Sequence, residues 1–281
     1  MSPLTATAIV VTHNSANHIG DALAPLRQAG IAVRVVDNAS RDATVALVAA
    51  THPEVELTAN RHNVGFASAV NQALRDVATD VVLLVNPDCV LPAATVQALV
   101  AYLRARPEVG IAGPRLVDAD GRVTNSAHPF ESLRSVIASR FGGNLVPVAV
   151  RQALSGARRR SHYRCRDASK PVGVDWLSGA CLAIRTELLA RVGGLDEGYF
   201  LYYEDEELCL RARQHGAEVV YLPTVQAMHV GGASSADPSQ LWPHLYRSML
   251  RFFARNRRDA FHAVRAAVVL RAVVGIGLAA A

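Results

Sequence analysis

The feature that most constrains this chain is a set of short, nearly continuous Val- and Ile-rich runs, at residues 8–11, 33–36, 81–85, 181–184 and 219–222. A strand with one solvated face alternates polar and apolar residues; these do not, so they read as strands buried on both faces. Helical spacing fills 16–29, 42–50, 66–77 and 93–104. Over the first 110 residues strand and helix therefore alternate, which predicts a doubly wound, mainly parallel α/β sheet. Ligands of such a sheet bind beyond the carboxyl ends of its strands, so those ends are where chemistry is to be sought.

The second half is less regular. Turn residues cluster at 118–121, and the basic stretch 151–170 is predicted to be a loop. Order resumes at Val172 with a strand, then a helix over 186–192, a Gly193-Gly194 turn and an acidic helix over 204–215, before a helical tail from about 241. A chain of 281 residues with 51% hydrophobic content can bury a large core. The expected organisation is one catalytic unit over 1–235, with halves 1–115 and 116–235, followed by a tail over 236–281. Cys89, Cys165, Cys181 and Cys209 lack paired spacing. They read as buried thiols in a reducing cytosol rather than as a zinc site. The N-terminus enters a strand at once and shows no basic-then-apolar leader, so a cytoplasmic location is expected.

Charge is uneven. Segments 151–170 and 240–281 each carry +6, which leaves −7 on the rest of a chain whose net charge is +5. An acidic body with two basic appendages suits a polyanionic surface such as anionic lipid, although solvated loops and helix faces would account for either segment alone.

Acidic residues fall where strands end. Asp37 closes the second apolar run in Val35-Val36-Asp37-Asn38. There it is placed either to take hydrogen bonds from a nucleotide or to cap the next helix. Asp88 follows the run 81–85 in Asn86-Pro87-Asp88, where a carboxylate either ligates Mg2+ or Mn2+ or makes an ordinary turn. The run Tyr202-Tyr203-Glu204-Asp205-Glu206-Glu207 holds more acid than a helix N-terminus requires. Crowded carboxylates beside aromatics have raised pKa values, which suits a general base. His229, before Val230-Gly231-Gly232, offers an imidazole to a divalent ion, and gains weight only from its company.

Taken in order, these stretches resemble the family 2 glycosyltransferases, in their bacterial rhamnosyltransferase-like branch. The matching segments are Val10-Val11-Thr12-His13-Asn14-Ser15, Val35-Val36-Asp37-Asn38-Ala39-Ser40, Asn63-Val64-Gly65-Phe66-Ala67 and Leu84-Val85-Asn86-Pro87-Asp88. They continue with Trp176-Leu177-Ser178-Gly179-Ala180, Gly193-Gly194-Leu195-Asp196-Glu197, Tyr203-Glu204-Asp205 and His229-Val230-Gly231-Gly232. The resemblance implies a GT-A-type fold and a nucleotide-sugar donor held by Thr12, Asn14, Asp37, Asn38, Asn63, Gly65, Phe66, Asn86 and Asp88. It implies Mn2+ or Mg2+ on Asp88 and His229, and Asp205 as general base with Glu204 beside it. Trp176, Ser178, Gly179 and Asp196 would shape the sugar and acceptor pocket. Asn86 stands where a strict DXD motif has its first acid. The branch implied points to dTDP-L-rhamnose first and UDP-sugars next, with a glycan or polyprenyl-diphosphate-linked acceptor.

Physical logic runs the same way: transfer from a nucleotide diphosphate needs a cation for the leaving group and one base for the acceptor hydroxyl, hence inversion. A sugar nucleotidyltransferase would want a Gly-rich, basic phosphate loop after the first strand, which residues 12–17 lack. A catalytically inactive binding protein on the same scaffold would have no use for Asp88, Asp205 and His229 together. Nucleic-acid binding is not expected, since the basic segments lack interleaved stacking aromatics.

In the tail, Arg247, Arg251, Arg255, Arg258, His262 and Arg265 share one helical face. Met249, Leu250, Phe252, Phe253, Ala260, Val264 and Val268 line the other. That apolar stripe is expected to lie in an anionic bilayer surface, on the inner face of the plasma membrane, or else to pack on the catalytic unit. Residues 266–281 are apolar but shorter than the roughly 20 needed to span a bilayer, leaving room for a longer chain that continues into one.

Overall fold

The structure, a computed structural model, describes residues 5–137, 165, 168–231 and 238–279, with side chains as far as Arg271. The predicted basic loop thus lies outside the described residues apart from Cys165 and 168–170.

Strands β1 (Ala6–Thr12), β2 (Ala32–Asp37), β3 (Glu56–Ala59) and β4 (Val81–Val85) run parallel in the order β3-β2-β1-β4. Helices α1 (Ile19–Gln28), α2 (Thr44–Thr51) and α3 (Phe66–Leu74) connect them. The missing alternation has its expected cause. Ala8, Val10, Val35 and Leu83 bury against Ile19, Leu23 and Leu26 of α1 on one face, while Ile9, Val36, Val82 and Leu84 bury with Ala67 and Val70 of α3 on the other. Each such Val, Leu or Ile contributes roughly 1.5–3 kcal/mol.

After β5 (Cys89–Val90), α4 (Ala93–Ala105) leads into β6 (Val109–Val117). The short strands β7 (Ala127–His128), β8 (Val172–Gly173) and β9 (Trp176–Leu177) flank α5 (Leu133–Val136), and β10 (Cys181–Arg185) follows. Next come α6 (Thr186–Val192), α7 (Glu204–Gln214), β11 (Glu218–His229), α8 (Trp242–Asn256) and α9 (Arg258–Ala279). The sheet continues from β4 through β10, antiparallel to it, to β6, β11 and β5.

Two strands depart from the sequence reading for one reason. The sequence reading had no strand at 109–117, and β11 was expected to end at Leu222, before Pro223. Proline cannot donate to a ladder, so it is confined to edges and bulges. Here Pro114 pairs with Leu222 where the β6–β11 register slips, the next pair being Arg115 with Gln226. The irregularity absorbs both prolines, and β11 runs on to pair Met228 with Val90 and His229 with Cys89.

The tail packs inward. Its apolar stripe, expected in a bilayer surface or else against the rest of the chain, takes the second course: Met249, Phe252, Phe253, Ala260 and Val264 form a cluster with Val136, Tyr199 and Tyr203. Covering that stripe against the rest of the fold removes it from water without any membrane. Among the described residues no helix is long and apolar enough to cross a membrane. All four cysteines are free and buried.

Candidate active site

Three groups of predicted residues gather at the carboxyl ends of the central strands. The first is a turn after β1 and β2. Thr12 and Asp37 are paired across the two strands, and the Thr12 hydroxyl donates to Asp37 Oδ1 at 2.8 Å. The Ser40 N–H donates to Asp37 Oδ2 at 2.9 Å. Asn38 donates its backbone N–H to Thr12 O at 2.8 Å and its side-chain amide to Gly65 O at 3.1 Å. Asn14, at φ +52°, accepts the Arg41 N–H at 2.8 Å. Asn63 Oδ1 accepts the Gly65 N–H at 2.9 Å. Gly65 has φ +88°, and a Cβ there would sit 2.9 Å from Phe200, so glycine alone fits. Asn38 thus ties the two expected nucleotide loops together, and Phe66 N–H donates to Phe200 O at 2.8 Å.

The second group forms because β11 outlasts its bulge. His229 Nε2 lies 3.2 Å from Asp88 Oδ1 and 3.4 Å from the Asn86 side-chain nitrogen. Asp88 Oδ2 accepts the Gly231 N–H at 3.1 Å. Burial raises the Asp88 pKa, but His229 and the Gly231 N–H outweigh it and hold the carboxyl below its ordinary range. Among the described residues no third His, Cys, Asp or Glu joins this pair. One carboxylate and one imidazole are ligand types that suit a divalent ion and would leave its other positions to oxygen ligands from outside the protein.

The third group opens α7. Tyr202 and Tyr203 both take φ +70°, an unfavourable conformation for such residues that costs of order 1–3 kcal/mol each. Tyr203 is held by packing on Phe252, with ring centroids 5.4 Å apart, and by a short hydrogen bond from its hydroxyl to Glu131 Oε2. Asp205 then accepts the Gly179 N–H at 2.9 Å and the Glu206 N–H at 2.8 Å. Burial, partly offset by those two donors, raises its pKa. Burial and the Asp205 charge push Glu204 up to about 8, and its Oε2 has no hydrogen-bond partner among the described residues. Burial and Glu131 push Glu206 up to about 9. Glu207 differs: Arg211, one turn on, holds it with two bonds of 2.7 Å.

One dipeptide joins the second and third groups. Ala180 O accepts the Asn86 N–H at 2.9 Å, while the preceding Gly179 N–H reaches Asp205. Ser178, just before, donates its N–H to Ser126 O at 2.8 Å. Trp176 donates its indole N–H to Pro129 O at 3.0 Å and stacks on His128 at 4.2 Å.

Over residues 5–251 the chain matches the family described as Glycosyltransferase like family 2. It is 31% identical to the N-acetylglucosaminyl-diphospho-decaprenol L-rhamnosyltransferase of Mycobacterium tuberculosis, across 88% of this chain and 83% of that one. The chain belongs to the family 2 glycosyltransferases. Two solved structures share the GT-A fold of this glycosyltransferase. One is GalNAc-T7 with UDP, GalNAc and Mn2+, at TM-score 0.64 and 16% identity over 93% of this chain and 50% of that one. The other is the mannosyltransferase PcManGT from Pyrobaculum calidifontis in complex with GDP-Man and Mn2+, at 0.58 and 21% over 99% and 80%.

Asp196, expected beside the sugar pocket, spends both carboxylate oxygens on Arg251 of α8, at 2.8 and 3.0 Å. Sequence reasoning missed Glu131, which supports Tyr203 and donates its N–H to Glu206 Oε1 at 2.6 Å. It also missed Asn71, which clasps Leu195 through both its N–H and its C=O at 2.9 Å. Neither residue belongs to a motif. Arg251 carried a signal, its place in the tail's arginine series, but that series pointed outward to a lipid surface.

Proposed function

We propose that this glycosyltransferase moves L-rhamnose from dTDP-L-rhamnose, with inversion, to a hydroxyl of a polyprenyl-diphosphate-linked N-acetylglucosamine in cell-envelope synthesis. The activity named for the Mycobacterium tuberculosis relative supports the choice of sugar and acceptor. The observation that carries transfer itself is the bridge through Gly179 and Ala180, which ties the Asp88 loop to Asp205.

In this reading Asp88 and His229 hold Mn2+ or Mg2+, which supplies charge neutralisation to the departing diphosphate. Thr12, Asn14, Asp37, Asn38, Asn63, Gly65, Phe66 and Asn86 form the donor shelf, while Trp176, Ser178 and Gly179 face the acceptor. Asp205 takes the proton from the acceptor hydroxyl as its oxygen bonds to the anomeric carbon and the bond from that carbon to the phosphate oxygen breaks. Asp205 suits this role better than Glu204, whose proton is held to about pH 8. We place the enzyme at the inner face of the plasma membrane. Support comes from the lipid-linked acceptor named for the relative and from exposed Arg247, Arg258 and Arg265 with exposed Val269 and Leu270. Attraction of arginine to anionic lipid is worth roughly 1 kcal/mol per residue and falls with salt.

The test is turnover of a panel of dTDP-, UDP- and GDP-sugars with a short-chain polyprenyl-diphosphate GlcNAc, with Mn2+, with Mg2+ and with chelator. Rhamnose transfer that needs the metal is expected. Turnover of a UDP-sugar alone would replace the donor, and full rate in chelator would remove the metal.

A further inference from the structure

The loop that delivers the acids of α7 is gripped from two sides. On the donor side, Asn71 clasps Leu195 and donates to Glu197 Oε1 at 2.9 Å, and Phe66 N–H holds Phe200 O at 2.8 Å. On the other side stands α8. Its Arg251 forks onto Asp196 at 2.8, 3.0 and 3.2 Å, and Arg255 adds a contact at 3.5 Å. Arg251 lies 5.4 Å from the centroid of the Tyr199 ring, and any Cβ at Gly198 would collide with its guanidinium. Ser248 donates its hydroxyl to Leu201 O at 2.8 Å, and His244 stacks on Phe200 at 4.4 Å. Phe252 then packs on Tyr203.

From Asp196 to Leu201 the side-chain anchors named on this side thus all come from one helix, which shares Tyr203 with Glu131 and Val136, and the next residues are Glu204 and Asp205. Two consecutive tyrosines at positive φ do not hold that shape unaided. A planar fork with two parallel bonds to a carboxylate fixes direction as well as distance, which a lysine would not do.

We propose that Arg251 is a positioning residue for transfer: by clamping Asp196 and covering Tyr199 it sets the strained turn that aims Asp205 at the acceptor. The C-terminal helix α8 is then a working part of the active site, and its acid-gripping arginine is not free for lipid. The proposal rests on the reading of Asp205 as base.

The experiment compares Arg251→Ala, Arg251→Lys and the nearly isosteric Asp196→Asn with wild type and Asp205→Asn. The probes are dTDP-L-rhamnose, Mn2+ and short-chain polyprenyl-diphosphate GlcNAc. Misplacement of a base by about 1 Å costs on the order of a hundredfold, so kcat for transfer should fall by roughly that factor in Arg251→Ala. Less loss is expected in Arg251→Lys, with donor affinity by calorimetry unchanged in both. Guanidinium ion, added below denaturing concentrations, should restore part of the Arg251→Ala rate, which a general loss of structure would not allow. Amide exchange over 196–205 should quicken while that of 6–12 and 32–37 does not. If Arg251→Ala does not fold, Asp196→Asn carries the same expectations. Wild-type kcat or unchanged exchange in the variant that folds would overturn the proposal, as would a donor affinity that falls in step with rate. Transfer that survives Asp205→Asn would overturn the base reading instead. A wild type that turns over no donor would overturn the proposed function and leave exchange to judge the clamp.

Discussion

Two buried acidic sites in this enzyme are built on opposite plans. Asp37, 1% exposed, is surrounded by donors: the Thr12 hydroxyl, the Ser40 N–H and the Ser40 hydroxyl. At the head of α7, Glu204, Asp205 and Glu206 crowd together; the Gly179 and Glu206 N–H groups on Asp205, and the Glu131 N–H and the Arg257 charge on Glu206, do not offset their burial, and all three bind protons more tightly than usual. A buried carboxylate whose oxygens are all engaged by donors is fixed in place and shapes a loop. Where burial outweighs the donors, the same burial that opposes a carboxylate's charge raises its affinity for a proton, which suits a base as long as the group is still ionised at the working pH. Glu207, one residue on, follows the first plan through Arg211 and has no part in the proposed chemistry.

The largest expected effect tests that division. Asp205→Asn keeps the shape and can keep the Gly179 contact on its oxygen, at the cost of the Glu206 contact, but cannot take a proton. Transfer should fall by about 10²–10⁴-fold with donor affinity intact. Equal loss of donor affinity would make Asp205 a binding residue and erase the contrast. The acidic limb of wild-type kcat should follow the raised Asp205 pKa, rate being lost as pH falls through it.

Next in size is the Asp88 pair. Asp88→Ala should abolish metal-dependent turnover while the fold survives, since the leaving diphosphate loses its charge partner. His229→Ala should cost less, because diphosphate oxygens also serve a divalent ion. Titration of Mn2+ against rate checks both, and an unchanged metal response in His229→Ala would remove it from the site.

Asp37→Ala should be milder for chemistry and heavier for binding. It leaves the Thr12 and Ser40 donors unpaired, at about 1–3 kcal/mol, so weaker donor binding and a lower melting temperature are expected with kcat at saturating donor nearly intact. A collapse of kcat at saturation would place Asp37 with the reactive acids.

How much of this was legible varied with how local the cause was. The parallel half followed from β-branched runs and helical spacing, and α6 (Thr186–Val192) falls at its predicted bounds. β6 was hidden by Pro114, because the bulge that accommodates it is a pairing with β11, more than a hundred residues away. The site's motif residues were readable as an ordered set. Their supports, Glu131, Asn71 and Arg251, were not, since each acts across the fold on a partner tens of residues distant. The tail was legible only in part. Its amphipathic pattern was seen, but a pattern reports that a stripe needs covering and not what covers it.

The smallest expected effect falls on Glu204, and it sharpens the comparison most. With its proton held to about pH 8, Glu204 is neutral at pH 7, so Glu204→Gln replaces one neutral group by another and transfer should barely change there. Above pH 8 the wild-type side chain ionises beside Asp205 and the glutamine does not, so the two enzymes should diverge only in that range. Stability gives an independent reading with a definite sign. An unfolded glutamate releases its proton near pH 4.3, whereas the folded one keeps it to about 8, so between those values unfolding releases a proton. Wild-type stability from this group is therefore full below about pH 4 and is lost as pH rises towards 8, by at most about 1.4 kcal/mol per pH unit. Glu204→Gln lacks this loss. Melting curves from pH 5 to 8 should show the variant gaining on wild type as pH rises, and parallel curves with a large loss of transfer at pH 7 would make Glu204, rather than Asp205, the ionised base.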